Sequence, residues 1–245
     1  VRIAVSDDEL TSALALRARA FSLDGRSDRD DYDAVCTHVL VEVAATKAIV
    51  CCFRVMFFPN GSALASAYSA QFYDFSNHNA YPQPLLEVGR FCVDPASFDP
   101  DILRVAWAAI TRLVDERGVG MLFGCSSFNG TDLMPFWSNF QYLSEKYLLA
   151  ATDQVGGRAA ETFRFRAMKP ADFDPKAALS GLPPLLRSYL SMGGRVSDHA
   201  VIDRNMNTMH VYTALKIAEI PVGRARMLRA LSALFINMLW QVHHI

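Results

Sequence analysis

The chain has 245 residues, 51% of them apolar and 20% charged, so it can bury a large core in one domain or in two closely packed ones, and its composition argues against disorder. Its net charge of −1 argues against a globally basic nucleic-acid binder, yet the balance is split: residues 1–175 carry a net of −6 and residues 176–245 a net of +5. The C-terminal third therefore offers a basic surface to an acidic partner.

Ser6-Asp7-Asp8-Glu9 is a capping box ahead of Leu10, Leu14, Leu16 and Phe21, which predicts a helix over about 7–20. The stretch Arg26-Ser27-Asp28-Arg29-Asp30-Asp31-Tyr32-Asp33 is too charged for a core strand and reads, by itself, as a solvated loop before a strand over 38–43. Runs over 47–57 and 63–72 are β-rich and joined by Pro59-Asn60-Gly61, predicting a hairpin. Residues 85–93 read as a buried strand carrying Glu87 and Arg90. Asp99-Pro100-Asp101 starts a helix over about 102–117 that Gly118 closes. A short buried strand over 121–125 follows, and Gly130-Thr131-Asp132 opens the next helix. Residues 161–168 alternate like a strand, Leu182-Pro183-Pro184 begins a helix ending at Gly193-Gly194, and 196–203 and 209–217 are two further strands. The last run, 224–242, places Leu228, Leu231, Leu234, Phe235, Met238, Leu239 and Val242 on one helical face. That face either covers the sheet or lies in a membrane interface with Arg224, Arg226 and Arg229 near phosphates. The order predicts a mixed α/β (α+β) sheet that is not doubly wound.

Five cysteines, Cys36, Cys51, Cys52, Cys92 and Cys125, mostly within apolar runs, read as reduced core residues of a cytoplasmic protein. No apolar run reaches the roughly 18 to 20 residues of a membrane span, and no signal-peptide pattern is present. The chain opens on Val1 rather than Met, so a preceding segment is expected. His38, His78, His199, His210, His243 and His244 show no metal-ligand spacing, and neither GxGxxG nor GxxxxGK[ST] occurs. No metal and no bound nucleotide cofactor are expected.

Burying Glu87 and Arg90 costs several kcal/mol per charge unless each is partnered. One reading is a structural ion pair with Arg54 or the acidic loop; the other is that Glu87 accepts a proton from, or orients, an amine substrate. The stretch Gly124 to Asp132, containing Ser126 and Ser127, is expected where a strand ends and a helix begins. Backbone N–H groups there would cradle an anion or oxyanion, unless the stretch is a plain connection. No His lies near Cys125 in sequence, so a nucleophilic role for it is not expected.

Arg17, Phe21, Asp30, Tyr32-Asp33, Arg54 and Glu87-x-x-Arg90-Phe91 resemble the R…F…D-x-Y-D…R…E-x-x-R-F series of acyl-homoserine lactone synthases. Those enzymes are acyl-carrier-protein-dependent members of the Gcn5-related N-acyltransferase superfamily. A wider set resembles the L-ornithine Nα-acyltransferases that start bacterial ornithine-lipid synthesis. It comprises Glu87-Val88-Gly89-Arg90, Leu122 to Phe128, Gly130-Thr131-Asp132, Pro183-Pro184-Leu185-Leu186-Arg187-Ser188-Tyr189-Leu190, and Ala200-Val201-Ile202-Asp203 with Asn207-Thr208.

The resemblance implies a Gcn5-related N-acyltransferase-like, largely antiparallel sheet flanked by helices. Residues 1–175 would form the N-acyltransferase core and 176–245 a C-terminal extension of helix, two strands and amphipathic helix packed on it. It implies transfer of a 3-hydroxyacyl group from an acyl-carrier-protein thioester, presented on its phosphopantetheine arm, to the α-amino group of L-ornithine. The resemblance supplies the positions, and residue chemistry supplies the roles. Glu87 and Arg90 are the catalytic candidates, with Glu87 as base or amine anchor. Arg54 and Arg90 hold the substrate carboxylate or the acidic loop, Asp30, Asp31 and Asp33 meet the cationic side chain, and Phe91, Ser126, Ser127 and Asp132 complete the substrate-binding set. Arg187, Arg195 and Arg204 are the carrier-protein candidates. Acetyl-CoA users in the superfamily carry a glycine-rich pyrophosphate loop after the central strand; here Val93 to Asp101 has no glycine and three aspartates, which disfavours coenzyme A. The expected location is cytoplasmic, with a peripheral contact on the inner face of the cytoplasmic membrane as an extension of that reading. The alternatives are an N-acyltransferase for another amino acid, a homoserine lactone synthase-like enzyme, and a non-catalytic lipid or carrier-protein binding module.

Overall fold

The computed structural model describes residues 1–21, 27–97, 99–169 and 171–236. Its strands are β1 (Arg2–Ile3), β2 (Thr37–Glu42), β3 (Ile49–Phe58), β4 (Tyr73–Asp74), β5 (Leu85–Val93), β6 (Met121–Asn129), β7 (Gly156–Gly157), β8 (Thr162–Arg164), β9 (Arg195–Asp203) and β10 (Thr208–Lys216). Its α-helices are α1 (Asp7–Ala20), α2 (Asp101–Arg117), α3 (Trp137–Lys146), α4 (Pro175–Ser180), α5 (Pro184–Ser191) and α6 (Val222–Ile236). They divide into two compact units. The first holds Val1–Phe57, Leu86–Val119 and Val222–Ile245; the second holds Phe58–Leu85 and Gly120–Pro221.

In the first unit the strands lie in the order β1-β2-β3-β5. β2 runs antiparallel to both β1 and β3, in a register that sets His38 opposite Arg54 and Leu40 opposite Cys52. Helix α1 starts where the sequence places it: Ser6 Oγ accepts from the Glu9 N–H (3.3 Å) and the Glu9 carboxylate accepts from the Ser6 N–H (3.2 Å). The helix lays Ala13 and Leu16 on Leu40, Cys52 and Cys92, so one apolar layer joins α1, β2, β3 and β5. Helix α2 ends at Gly118, whose φ of 60° is the left-handed conformation that glycine adopts without a Cβ clash. Helix α6 is tied to α2 by Arg229, whose guanidinium donates twice to the Asp115 carboxylate (3.0 Å each).

The second unit has the order β6-β10-β9-β8, with β10 antiparallel to β6 and β9. Its core gathers Phe128, Val196, Ala200, Met209 and Val211 from the strands with Phe140 and Leu143 of α3 and Leu186 and Leu190 of α5. Tyr73, Phe75 and His78 pack their rings on Tyr212.

The mixed α/β architecture with largely antiparallel pairing expected from the sequence is the one observed, with local corrections. Residues 63–72 do not form the second arm of a hairpin; they make two 3-10 turns, Gly61–Ser66 and Tyr68–Gln71. The Asn60 side chain caps the first by accepting from the Ser62 N–H (3.1 Å), and buried Leu64, Ala67 and Ala70 recur every three residues, the 3-10 period. The strand expected to stop at 125 continues to Asn129, because β10 pairs with it along its whole length. The strand expected over 161–168 is confined to β8, after which a 3-10 turn folds Phe165 into the core. Of the predicted terminal helix, α6 is seen to Ile236, and 237–242 lie outside the described residues.

A Cβ at Gly61 would stand 1.7 Å from the backbone carbonyl oxygen of His78, which no side-chain rotation relieves. Gly61→Ala is therefore expected to destabilise the protein by about 2 kcal/mol or more, read as a fall in the thermal midpoint.

Candidate active site

The acidic loop is not solvated. Its aspartates meet three arginines that arrive from three different elements of the first unit, and together they close a ring. Arg17 on α1 donates from Nε to both oxygens of Asp28 (3.0 and 2.9 Å) and from Nη1 to Asp33 (2.7 Å). Arg54 on β3 donates to the same Asp33 oxygen (2.6 Å) and, through both terminal nitrogens, to Asp30 (2.5 and 2.8 Å). Arg90 on β5 donates to Asp30 (3.0 Å), and its Nε lies 2.9 Å from Asp28. Charges alternate around the ring and sum to zero, so burial leaves no member without an opposite charge on each side. The Arg17, Asp28, Asp33 and Arg54 side chains are almost fully buried, whereas Asp30 keeps 25% of its side chain exposed.

Electrostatics follow from that geometry. Burial alone would raise the Asp33 carboxyl; the hydrogen bonds and charge of Arg17, with Arg54 behind them, instead hold it down to about 2. Burial opposes the charge on Arg54, but Asp30 and Asp33 overcome it and push the guanidinium above its ordinary value. His38, opposite Arg54, is lowered by burial, and its Nε2 lies 3.0 Å from the Asp33 carbonyl oxygen.

The ring also shapes β5. Arg90 has a φ of 50°, a left-handed conformation costing a non-glycine residue about 1 to 2 kcal/mol, which its bonds to two aspartates offset. A Cβ on Gly89 would lie 3.8 Å from the Arg54 side chain, so this face of β5 lies against Arg54. Glu87, two residues before Gly89, shares its face of the strand and is buried. Its charge raises the pKa of Tyr32 and of Cys36, after burial, which raises both first. The Arg54 guanidinium sits 5.7 Å from the centre of the Tyr32 ring. Tyr32 thus lies against Arg54, and the Glu87 charge is felt at both Tyr32 and Cys36.

Of the two partners considered for Arg54 and Arg90, the acidic loop is the one they bind. Phe91 stacks on Phe53, ring centres 5.3 Å apart. Ser126 and Ser127 lie inside β6 rather than at the expected strand end; Ser126 Oγ accepts from Thr213 (2.9 Å), and Ser127 is exposed opposite His210. Asp132 accepts from the Met134 N–H (3.0 Å) ahead of α3. Arg187 donates to the Ser180 carbonyl (3.1 Å) and Arg195 to that of Lys146 (2.8 Å), whereas Arg204 pairs with both oxygens of Glu161. Sequence reasoning gave Asp28 no role and noted Arg17 without assigning one. The available signal was an arginine beside Leu16 on an apolar helix face, together with aspartates at 28, 30 and 33.

A family model described as an acetyltransferase (GNAT) domain matches residues 14–108. The chain is similar to an L-ornithine N(alpha)-acyltransferase of Rhodobacter capsulatus, 30% identical over 217 residues that cover 86% of this chain and 81% of the relative. It is also 30% identical over 242 residues to one from Brucella abortus, covering 90% of this chain and 85% of the relative. Among solved structures, a CoA-dependent acyl-homoserine lactone synthase aligns with 100% of this chain and 94% of its own at 12% identity, with a TM-score of 0.49.

Because the folded carboxyl of Asp33 is depressed from 3.8 to about 2, its stabilisation is complete above the ordinary value and is lost as pH falls through that window. About 2 kcal/mol of stability should disappear there. Asp33→Asn is expected to cost about 3 to 5 kcal/mol at neutral pH and to flatten the acid transition between pH 4 and 2, measured by denaturant unfolding across that range.

Proposed function

The chain belongs to the L-ornithine N(alpha)-acyltransferase family and is an N-acyltransferase, and we propose that it moves a 3-hydroxyacyl chain from an acyl carrier protein to the α-amino group of L-ornithine, giving lyso-ornithine lipid. The likeness to the ornithine enzymes along most of both chains carries this reading.

The amine must be neutral to attack the thioester carbonyl, and a proton leaves nitrogen as the amide forms. Glu87 takes that proton: it is a buried carboxylate on the strand face beside Arg54. Arg54 and Arg90 act through the loop they clamp. Asp30, the aspartate of the ring that reaches solvent, meets the ammonium of the ornithine side chain, with Asp33 holding the loop behind it. Phe91, partly buried on Phe53, offers an apolar surface to the acyl chain.

A carrier protein suits the start of α2 better than coenzyme A does. Asp99 Oδ1 already accepts the Asp101 N–H (2.8 Å), and Asp94 accepts the Ala96 N–H (3.0 Å), so carboxylates occupy the place where a pyrophosphate would seek N–H donors. Arg187 and Arg195, whose hydrogen bonds go to neutral carbonyls, keep their charge available to an acidic carrier; Arg204 offers its own only when Glu161 is displaced. No helix among the described residues is long and apolar enough to cross a membrane. Exposed Val222, Met227 and Leu234 on α6, with Arg224 and Arg226, support a peripheral contact with an anionic bilayer that receives the amphiphilic product.

Purified protein given 3-hydroxyacyl carrier protein and ornithine should release thiol and form acyl-ornithine by mass spectrometry; neither with ornithine, but both with another amine, would replace the acceptor. Glu87→Gln should lower turnover at least about tenfold with the fold retained, and activity within about twofold of the parent would remove Glu87 from the chemistry. Reversing the charges of Arg187 and Arg195 should raise the KM for carrier protein and leave that for ornithine nearly unchanged. Added salt should mimic the change, since screening acts over roughly 10 Å at 0.1 M. Equal use of hydroxyacyl-CoA at low concentration would contradict the carrier assignment.

A further inference from the structure

Two thiols that acyl transfer does not use meet beside the charge ring. β3 and β5 are neighbours in the sheet of the first unit. The Asp94 N–H, just past β5, donates to the Val50 carbonyl (2.8 Å), Phe91 stacks on Phe53, and the Cys92 and Cys52 sulfurs lie 3.5 Å apart. Each step back along β5 is matched by a step forward along β3, so the strands run antiparallel and Cys92 stands directly opposite Cys52. Opposed residues in such a pair have Cα atoms about 4.5 to 5.5 Å apart, inside the range of about 4.4 to 6.8 Å that a disulfide spans. Two residues further along each strand come Arg90 and Arg54, both bonded to Asp30.

Both thiols are reduced and covered. Cys52 is 1% exposed and Cys92 5%, Ala13 and Leu16 of α1 pack on them, and Cys52 Sγ donates to the Ala13 carbonyl (3.7 Å). The hydrogen bond with Cys52, and then burial, push the Cys92 thiol up, so it keeps its proton while the cover is closed. The cover is held by the ring: Arg17, next to Leu16 on α1, is anchored to Asp28 and Asp33. We infer that Cys52 and Cys92 are a modification site, closing to a cross-strand disulfide under a peroxide at a rate that the charge ring sets by holding α1 over them.

Two thiols and one hydrogen peroxide give one disulfide and two waters. One sulfur attacks a peroxide oxygen, the S–O bond forms, the O–O bond breaks, and the departing hydroxide takes the thiol proton as water. The second sulfur then attacks the first, the S–S bond forms, the S–O bond breaks, and hydroxide leaves with the second thiol proton as water. The two sulfurs lose two electrons in all, and the peroxide gains them. The bond joins residues 40 apart in the chain, so it stabilises the fold by constraining the unfolded chain, and it adds a covalent link between β3 and β5 beside the ionic one through Asp30.

The test treats the folded protein with hydrogen peroxide, alkylates the remaining thiols and maps the peptides by mass. A cross-linked peptide joining Cys52 to Cys92 is expected, with the thermal midpoint raised by about 5 °C or more and returned to its starting value by dithiothreitol. Cys92→Ala should form no such link and show no rise. Asp30→Asn, which opens the ring at its exposed member, should form the disulfide at least about tenfold faster than the parent. Cys52 and Cys92 still unlinked once Cys36 and Cys125 are oxidised, or a disulfide formed by Cys51 instead, would overturn the site. A rate unchanged in Asp30→Asn would overturn control by the ring. Should Asp30→Asn fail to fold, the parent decides in urea below its unfolding transition: a rate that climbs with urea means that α1 must lift before the thiols react, and a flat dependence overturns that control.

Discussion

Three arginines and three aspartates neutralise one another in a closed, alternating ring, and the first unit is organised around that neutrality. A single buried guanidinium or carboxylate costs several kcal/mol, and removing any one partner exposes its neighbours to that cost. The ring therefore behaves as an all-or-none device. It draws a loop rich in charge into the interior, ties that loop to α1, β3 and β5 at once, and holds Arg90 in a backbone conformation that arginine otherwise avoids. The apolar layer of Ala13, Leu16, Leu40, Cys52 and Cys92 supplies burial under the same three elements, while the ring fixes their register at one point.

That fixed point has a chemical consequence. Arg54 and Arg90 donate to the loop aspartates and so order the loop residues beside β5. Glu87 shares with Gly89 the face of β5 that lies against Arg54. The carboxylate proposed to take the amine proton thus lies beside the charge ring that organises the first unit. Stability and activity should fall together when the ring is broken, and only activity should fall when Glu87 is altered conservatively.

Much of this was legible in the residues. The capping box at Ser6, the apolar spacing of α2 and its Gly118 stop are local signals, decided within a turn or two of chain, and they appear where the pattern places them. The stretch 61–72 misled because small apolar residues every three positions look β-rich when its 3-10 period goes unread. The extent of β6 was hidden because its partner β10 lies far along the chain. The acidic loop read as solvated for a similar reason: the arginines that partner Asp28, Asp30 and Asp33 are distant in sequence and are brought to them by α1, β3 and β5. The resemblance to N-acyltransferases marked Arg17, Arg54 and Arg90 as positions, but only the fold shows them facing the same three aspartates.

The most direct test of the account is a double-mutant cycle between members of the ring that do not touch. Arg17 and Asp30 stand on opposite sides, each bonded to other members. Arg17→Met, Asp30→Asn and the double variant would be measured for unfolding free energy and for acyl transfer to ornithine. A ring acting as one unit predicts that the double variant is little worse than the worse single one, a coupling of about 1 to 3 kcal/mol in stability with matching non-additivity in kcat. Losses that simply add in both measurements would mean that the two halves act independently, and would contradict the account.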